Sequence, residues 1–140
     1  MTFDPHAVLA GTHVGVLATI RSSGVPQLSP VTAFYDRDTG EVLVSMIEGR
    51  AKTANLRRDP RAALEVTTKD GHSWATAEGT VELTGPGTDP NGPEVEALVD
   101  YYRRAAGEHP DWQEYREVMV ADRRVLMTMK VESVYGQKLR

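Results

Sequence analysis

The amino-acid sequence predicts a mainly β protein, a mostly antiparallel barrel with a few peripheral helices. Two observations carry this reading. About seven runs have strand character, and most are joined by connections of hairpin length. Those runs do not alternate regularly with helical segments, which disfavours a parallel α/β sheet, and the longest helical stretch comes late, from Glu94 to Val120. A chain of 140 residues is most economically one domain, 1–140, and is long enough to bury a core.

The elements follow in order. Asp4-Pro5 supplies a cap and a proline suited to a first helical turn, and Gly11 a stop, so a short helix is expected from about Pro5 to Ala10. GVLATI (Gly15 to Ile20) is apolar on both alternating faces, as in a strand of a closed or covered sheet. Ser22-Ser23-Gly24 is a turn. PQLSPVTAFY (Pro26 to Tyr35) reads as a second strand, which Pro26 and Pro30 confine to an edge or a bulge. DRDTG is a hairpin connection to a third strand, EVLVSMI (Glu41 to Ile47). Ala51 to Arg58 predicts a short helix that Asp59-Pro60 must end, since a residue before proline avoids the α region. RAALEVTT (Arg61 to Thr68) is a fourth strand, Asp70-Gly71 a tight turn, and HSWATAEGTVEL (His72 to Leu83) a long fifth strand. TGPGTDPNGP (Thr84 to Pro93) is a loop. Val95, Leu98, Val99 and Tyr102 then form one helical stripe, and Trp112, Tyr115 and Met119 another, with Gly107 and Pro110 between them. RVLMTMKV (Arg124 to Val131) and SVYGQKL (Ser133 to Leu139) close the chain as two further strands.

Composition narrows the function. A chain that is 40% apolar and 26% charged is of ordinary globular type, and its net charge of -4 argues against a general nucleic-acid binder. With no cysteine there is no disulfide framework, thiol nucleophile or thiolate metal site. His6, His13, His72 and His109 lack ligand spacing, so no metal site is expected. MTFDPHAVLAGTH has neither a basic n-region nor a long apolar run, so neither a signal peptide nor a membrane span is expected, and the location is cytoplasmic by default. Ser29 and Ser45 lack a GxSxG setting, and Glu65 and Glu78 form no evident acid–base couple. The side chains look more like holders of a cofactor than chemical actors.

The exception to this plain surface is SMIEGRAKTANLRRDPRAAL (Ser45 to Leu64), where Arg50, Lys52, Arg57, Arg58 and Arg61 fall within twelve residues. Gly49 permits a sharp turn. The following helix start presents unpaired amides around Lys52 and Thr53 and the positive end of its dipole. With Arg50, Lys52 and the Thr53 hydroxyl, these are the parts of a phosphate site. The pattern is not GxxxxGK[ST], so triphosphate hydrolysis is not implied. The competing reading is a solvated cationic face. Arg57, Arg58 and Arg61 suit it, because cations complement a helix C-terminus. Arg50 and Lys52 do not, since a cation near a helix N-terminus is disfavoured by roughly 0.3–1 kcal/mol at an exposed site. A compensating anion is the simpler account. Trp74, in mid-strand, reads first as a core or interface aromatic, and His72 as a surface residue.

In this order and spacing, GVLATIRSSGVPQLSPV, RAKTANLRRDPRAAL, WATAEGTVEL and VLMTMKVESVYG resemble the pyridoxamine-phosphate-oxidase-like split β-barrel superfamily. Within it, the chain looks most like the small actinobacterial proteins that bind the deazaflavin coenzyme F-420, over nearly its whole length. The resemblance implies a six- to seven-stranded antiparallel split β-barrel and a homodimer with two cofactor sites at the subunit interface. It places the cofactor phosphate on Arg50, Lys52 and Thr53, and the ribityl chain and ring beside Ser45 and Met46. Gln27, Leu28 and Ser29 would line the ring, Trp74 and Ala75 would reach it from the partner subunit, and Arg57 with Arg58 would steer the oligoglutamate tail. The implied activity is hydride transfer to an unsaturated small molecule, by a reductase rather than an oxidase. Flavin mononucleotide (FMN) is the alternative cofactor, and a non-catalytic cofactor-binding protein the alternative class. No catalytic side chain is implied; solvent or a hydroxyl such as Tyr35 would supply any proton. The chain ends in VYGQKLR, without the terminal arginine motif of true pyridoxamine-phosphate oxidases, so oxidation of a vitamin B6 phosphate is not expected. Lys138 and Arg140 are left as further anion-holding candidates.

Overall fold

Asp4 opens the first helix as the sequence predicts. Its carboxylate accepts the His6 amide at 3.0 Å, and Pro5 occupies the first turn of α1 (Pro5–Gly11). The computed structural model describes residues 2–139. After α1 come β1 (Val14–Ile20), β2 (Pro26–Thr32), β3 (Phe34–Asp36), β4 (Glu41–Ile47), α2 (Ala51–Arg58), β5 (Arg61–Thr67), β6 (Ser73–Thr84), α3 (Pro93–Ala106), α4 (Trp112–Ala121) and β7 (Arg124–Lys138).

The strands form one seven-stranded antiparallel sheet in the order β2-β1-β5-β6-β7-β4-β3. The sheet curls into a half-barrel. Val31 of β2 and Val44 and Met46 of β4, from opposite ends of the strand order, share one core with Leu17, Leu64, Val66, Ala77, Met127 and Met129. Leu9 of α1 and Leu56 of α2 close that core. A second cluster lies outside the sheet, where Leu98, Val99 and Tyr115 of α3 and α4 cover Leu43 of β4 and Leu126 of β7. Burial pushes the Tyr115 phenol up to about 12, and its hydroxyl donates to the Leu98 carbonyl at 3.0 Å. Arg104 pins α3 to the β3–β4 hairpin through Asp36 at 2.8 Å.

Seven strands were expected and seven are present, but two boundaries differ. The expected second strand is two: buried Ala33 still donates its amide to the His13 carbonyl at 2.7 Å in the β1–β2 register, and from Phe34 the chain pairs with β4 instead. β2 therefore stays at one edge of the sheet, where Pro26 and Pro30 cost no ladder bonds to a further strand, and β3 lies at the other. The two expected closing strands are one. Glu78 pairs with Ser133 and Gly79 with Val131, so Glu132 is an extra residue in β7, a bulge that bends the strand without ending it.

β1 is apolar on both faces for two reasons. Leu17 is wholly buried in the core, whereas Val14 and Val16 point outward with Leu28 of β2, and Val14 and Leu28 are 64% and 65% exposed. This half of the outer face has no helix over it.

Gly79 sits where the bulge begins, and a Cβ there would lie 1.9 Å from the Lys130 carbonyl oxygen. Because that neighbour is backbone, it cannot swing aside. Gly79→Ala should therefore lower stability by about 1–3 kcal/mol or more, the range for forced overpacking. A urea unfolding midpoint equal to the wild-type value would show that the ribbon relaxes freely.

Candidate functional site

The turn after β4 takes its shape from Gly49, whose φ of +86° puts it in the left-handed region. Arg50 is the extended cap residue of α2 and makes no side-chain capping bond. The Thr53 hydroxyl donates to the Ile47 carbonyl at 2.8 Å, tying the helix start to the end of β4. Thr53 is wholly buried, so its hydroxyl proton is committed to this brace and is not offered to a ligand. The first amides of α2 have no intrahelical acceptor and remain the donors at this end.

This helix end opens onto a cleft of about 420 Å³ between two strands that the curl brings together. Pro30, Val31 and Thr32 of β2 form one side, and Val44 to Ile47 of β4 the other. Arg50, Lys52, Tyr101 of α3 and Arg124 of β7 complete it. None of the described residues lining it is a carboxylate.

The five cations of the basic stretch separate by partner. Arg57 forms a two-pronged ion pair with Glu48 and donates to the Gly85 carbonyl at 3.1 Å. Arg58 donates to the Ile20 carbonyl at 2.7 Å and to Asn55 Oδ1 at 3.2 Å. Arg61 pairs with Asp59 at 2.8 Å and holds that carboxyl down at about 2. Arg50 and Lys52 make no side-chain hydrogen bond or ion pair among the described residues. Arg57 and Arg58 thus fasten α2 to its surroundings, and neither lines the cleft.

Other predicted residues spread out. Asn55, buried, donates to Thr19 Oγ1 at 3.1 Å and to Gln27 Oε1 at 2.7 Å, so Gln27 anchors α2. Ser29 has a buried hydroxyl without a partner among the described residues, and Leu28 points away from the core; neither lines the cleft, although Pro30, next to Ser29, does. Ser45 lines the cleft from the outer face of β4, while the Met46 side chain is buried in the core on the opposite face. Trp74 packs edge-on against Tyr135, and the Ala75 side chain is wholly buried in the core. Trp74 does not line the cleft of its own chain; it pairs with Thr67 of β5, about three strand spacings, roughly 14 Å, across the sheet from Thr32 at the cleft.

Tyr35 is also elsewhere. Its hydroxyl meets His6 Nδ1 at 2.8 Å in a separate pocket under α1, so it is not a proton donor to this cleft. Lys138 pairs across to Ser73 near the end of β7, and Arg140 lies outside the described residues. Tyr101 and Arg124 reach the cleft with no sequence motif to announce them. Burial pushes the Tyr101 phenol up, keeping it a neutral donor. Among the described residues no group of three or more histidines, aspartates or glutamates is placed to hold a metal ion, and no helix is long and apolar enough to cross a membrane.

The family model described as pyridoxamine 5'-phosphate oxidase matches residues 6–138. The chain belongs to this family. Over 133 residues this family member is 27% identical to an F420H(2)-dependent biliverdin reductase of Mycobacterium tuberculosis, covering 95% of the chain and 85% of that protein. Among solved structures, an F420 reductase superposes with a TM-score of 0.66 at 23% identity, over 96% of this chain and 98% of that one. A conserved hypothetical protein of Mycobacterium tuberculosis superposes at 0.72 with 24% identity, over 96% and 82%. These two structural likenesses establish the split-barrel fold.

The Glu48–Arg57 pair makes α2 docking in this family member sensitive to acid. The guanidinium hydrogen bond lowers the Glu48 pKa below its ordinary value of 4.5. Its stabilisation is therefore complete above that value and is lost as pH falls through the lowered one. Arg57→Ala should reduce the thermal midpoint at neutral pH, and the two proteins should converge as the medium is acidified through the lowered Glu48 pKa. A deficit that is the same at every pH would assign the loss to packing instead.

Proposed function

We propose that this family member is a coenzyme F-420-dependent oxidoreductase that passes hydride to an unsaturated small molecule. The observation that carries the reading is the cleft end at α2, where two cations without protein partners flank unpaired helix amides and no described carboxylate competes. A phosphate-bearing cofactor fits that donor set. Arg50 would clamp the phosphate, Lys52 would act as a point charge, and the first α2 amides would complete the seat. Pro30 to Thr32 and Ser45 would flank the remainder of the molecule. When bound, the deazaflavin supplies the hydride chemistry. The chain's own residues orient it, exclude water and present donors to the acceptor. The similarity to a reductase described as F420H(2)-dependent supports the choice of deazaflavin over FMN.

Parallel fluorescence titrations with coenzyme F-420 and FMN test this. Coenzyme F-420 should bind more tightly, and Lys52→Ala should cost about 1.5–3 kcal/mol of that affinity, the range for a hydrogen bond to a charged group. Tighter FMN binding would move the protein to the flavin-dependent branch. Tight binding of the reduced deazaflavin without turnover of any enone or quinone would make it a carrier.

The reading includes a homodimer. The outer face of β1 and β2 leaves Val14, Val16 and Leu28 uncovered side by side, a contiguous apolar patch suited to a second copy. Such a partner could bring its own Trp74 to the cleft, which the same chain's Trp74 does not line. Leu28→Glu should convert the dimer to monomer in size-exclusion chromatography with light scattering. A wild-type monomer at micromolar concentration would refute this assembly.

A further inference from the structure

Resting on that reading of the cleft, we propose that Arg124 is a further ligand-binding residue, which with Tyr101 and Ser45 receives an oxyanion of the bound molecule. Its guanidinium carries five N–H donors, and none makes a hydrogen bond among the described residues. Nε is buried from solvent as well as unpaired. The acid beside it, Asp122, is half exposed and lies 3.7 Å from Nε, beyond hydrogen-bonding distance. Buried donors of this kind are rare in folded proteins and call for a partner.

The position is fixed by backbone. Arg124 pairs with Ile47 across the β4–β7 ladder. The preceding Arg123, held at a left-handed φ of 54°, accepts the Glu48 amide at 3.0 Å. The turn that carries Arg124 is thus clamped to the turn that carries Gly49 and Arg50. Register puts the side chain on the same face of the sheet as Ser45, and Tyr101 comes over that face from α3. Neither the Ser45 nor the Tyr101 hydroxyl is hydrogen-bonded among the described residues, and both can donate. The charged groups that line the cleft are Arg50, Lys52 and Arg124, all cations, with Asp122 close to Arg124 from outside the lining, and its polar side chains can offer protons. The chemistry that satisfies them is a phosphate or carboxylate group.

The test uses the intact protein as wild type, Arg124→Gln and Arg124→Lys, titrated with riboflavin, FMN and coenzyme F-420. Arg124→Gln should weaken FMN and coenzyme F-420 by roughly ten- to a hundredfold, as expected for a charge-assisted hydrogen bond. Riboflavin, without a phosphate, should be unaffected, and Arg124→Lys should recover part of the loss. A loss for coenzyme F-420 alone would place the oxyanion beyond the first phosphate, on the carboxylates of the tail, and would still support the assignment. Unchanged affinity for all three, or an equal loss that includes riboflavin, would overturn it. Should the wild type bind none of the three, the cofactor reading fails and inorganic phosphate decides this one. A phosphate-dependent rise in Tm that Arg124→Gln lacks would sustain the oxyanion seat, and the same response in both proteins would overturn it.

Discussion

The antiparallel pairing of β6 with β7 is the constraint on which the rest of the structure depends. It joins the two halves of the sheet, β2-β1-β5 on one side and β4-β3 on the other. Two long strands this closely paired would form a simple twisted ribbon without a device to bend them. The device is the register shift at Glu78/Gly79, which leaves Glu132 unopposed, and a residue small enough for the Lys130 carbonyl to approach. With the ribbon bent, the edge strand β2 swings round to face β4. The gap between them is the candidate cleft. The site is therefore a product of sheet closure that stops short, and not an insertion placed upon a finished barrel.

The α2 helix divides the work of its charges along its length. At its far end Arg57 and Arg58 are consumed in holding the helix to Glu48, Gly85 and Ile20, and buried Asn55 fastens its flank to Thr19 and Gln27. At its near end the Thr53 hydroxyl braces the Ile47 carbonyl. These contacts fix the helix axis, so the amides of its first turn and the flanking Arg50 and Lys52 are aimed without being spent. A seat for an anion needs both properties, since donors that must reorganise on binding lose part of their worth to ordering. The anchoring residues were read as surface charge or as ligand contacts, but their physical role is to pre-organise the two cations that remain unpaired.

Local chemistry made much of the fold legible. The Asp4-Pro5 cap, the proline stop at Asp59-Pro60 and the proline-marked edge strand all rest on interactions within a few residues, and each appears in the structure. What was misread depends on tertiary pairing. Nothing in PQLSPVTAFY marks Ala33 as a break, because the change of partner there, from β1 before it to β4 after it, is defined only by the other strands. Nothing in KVESVY marks Glu132 as a bulge and not a boundary, because only the partner strand defines the register. The site divides in the same way. Arg50, Lys52 and Ser45 were brought to one cleft from a contiguous stretch, whereas Tyr101 and Arg124 arrive from a distant helix and strand. Period-two alternation already says that Ser45 and Met46 turn their side chains to opposite faces of β4, and the structure puts Met46 in the core where it borders the cleft.

A cleft whose charged lining residues are all cations, in a chain of net charge -4, also has a consequence for selection of its ligand. Long-range attraction by the whole molecule is weak or unfavourable for an anion, so recognition must come from short-range donors inside the cleft. Short-range donors discriminate by geometry. The helix amides and Arg50 lie at one point of the cleft wall, and Arg124 stands on the adjoining strand, held by the Ile47 pairing. A rigid molecule that presents acceptors to both gains from each without a second ordering cost, which is the physical reason for such a cleft to favour an extended, multiply charged cofactor over a free ion.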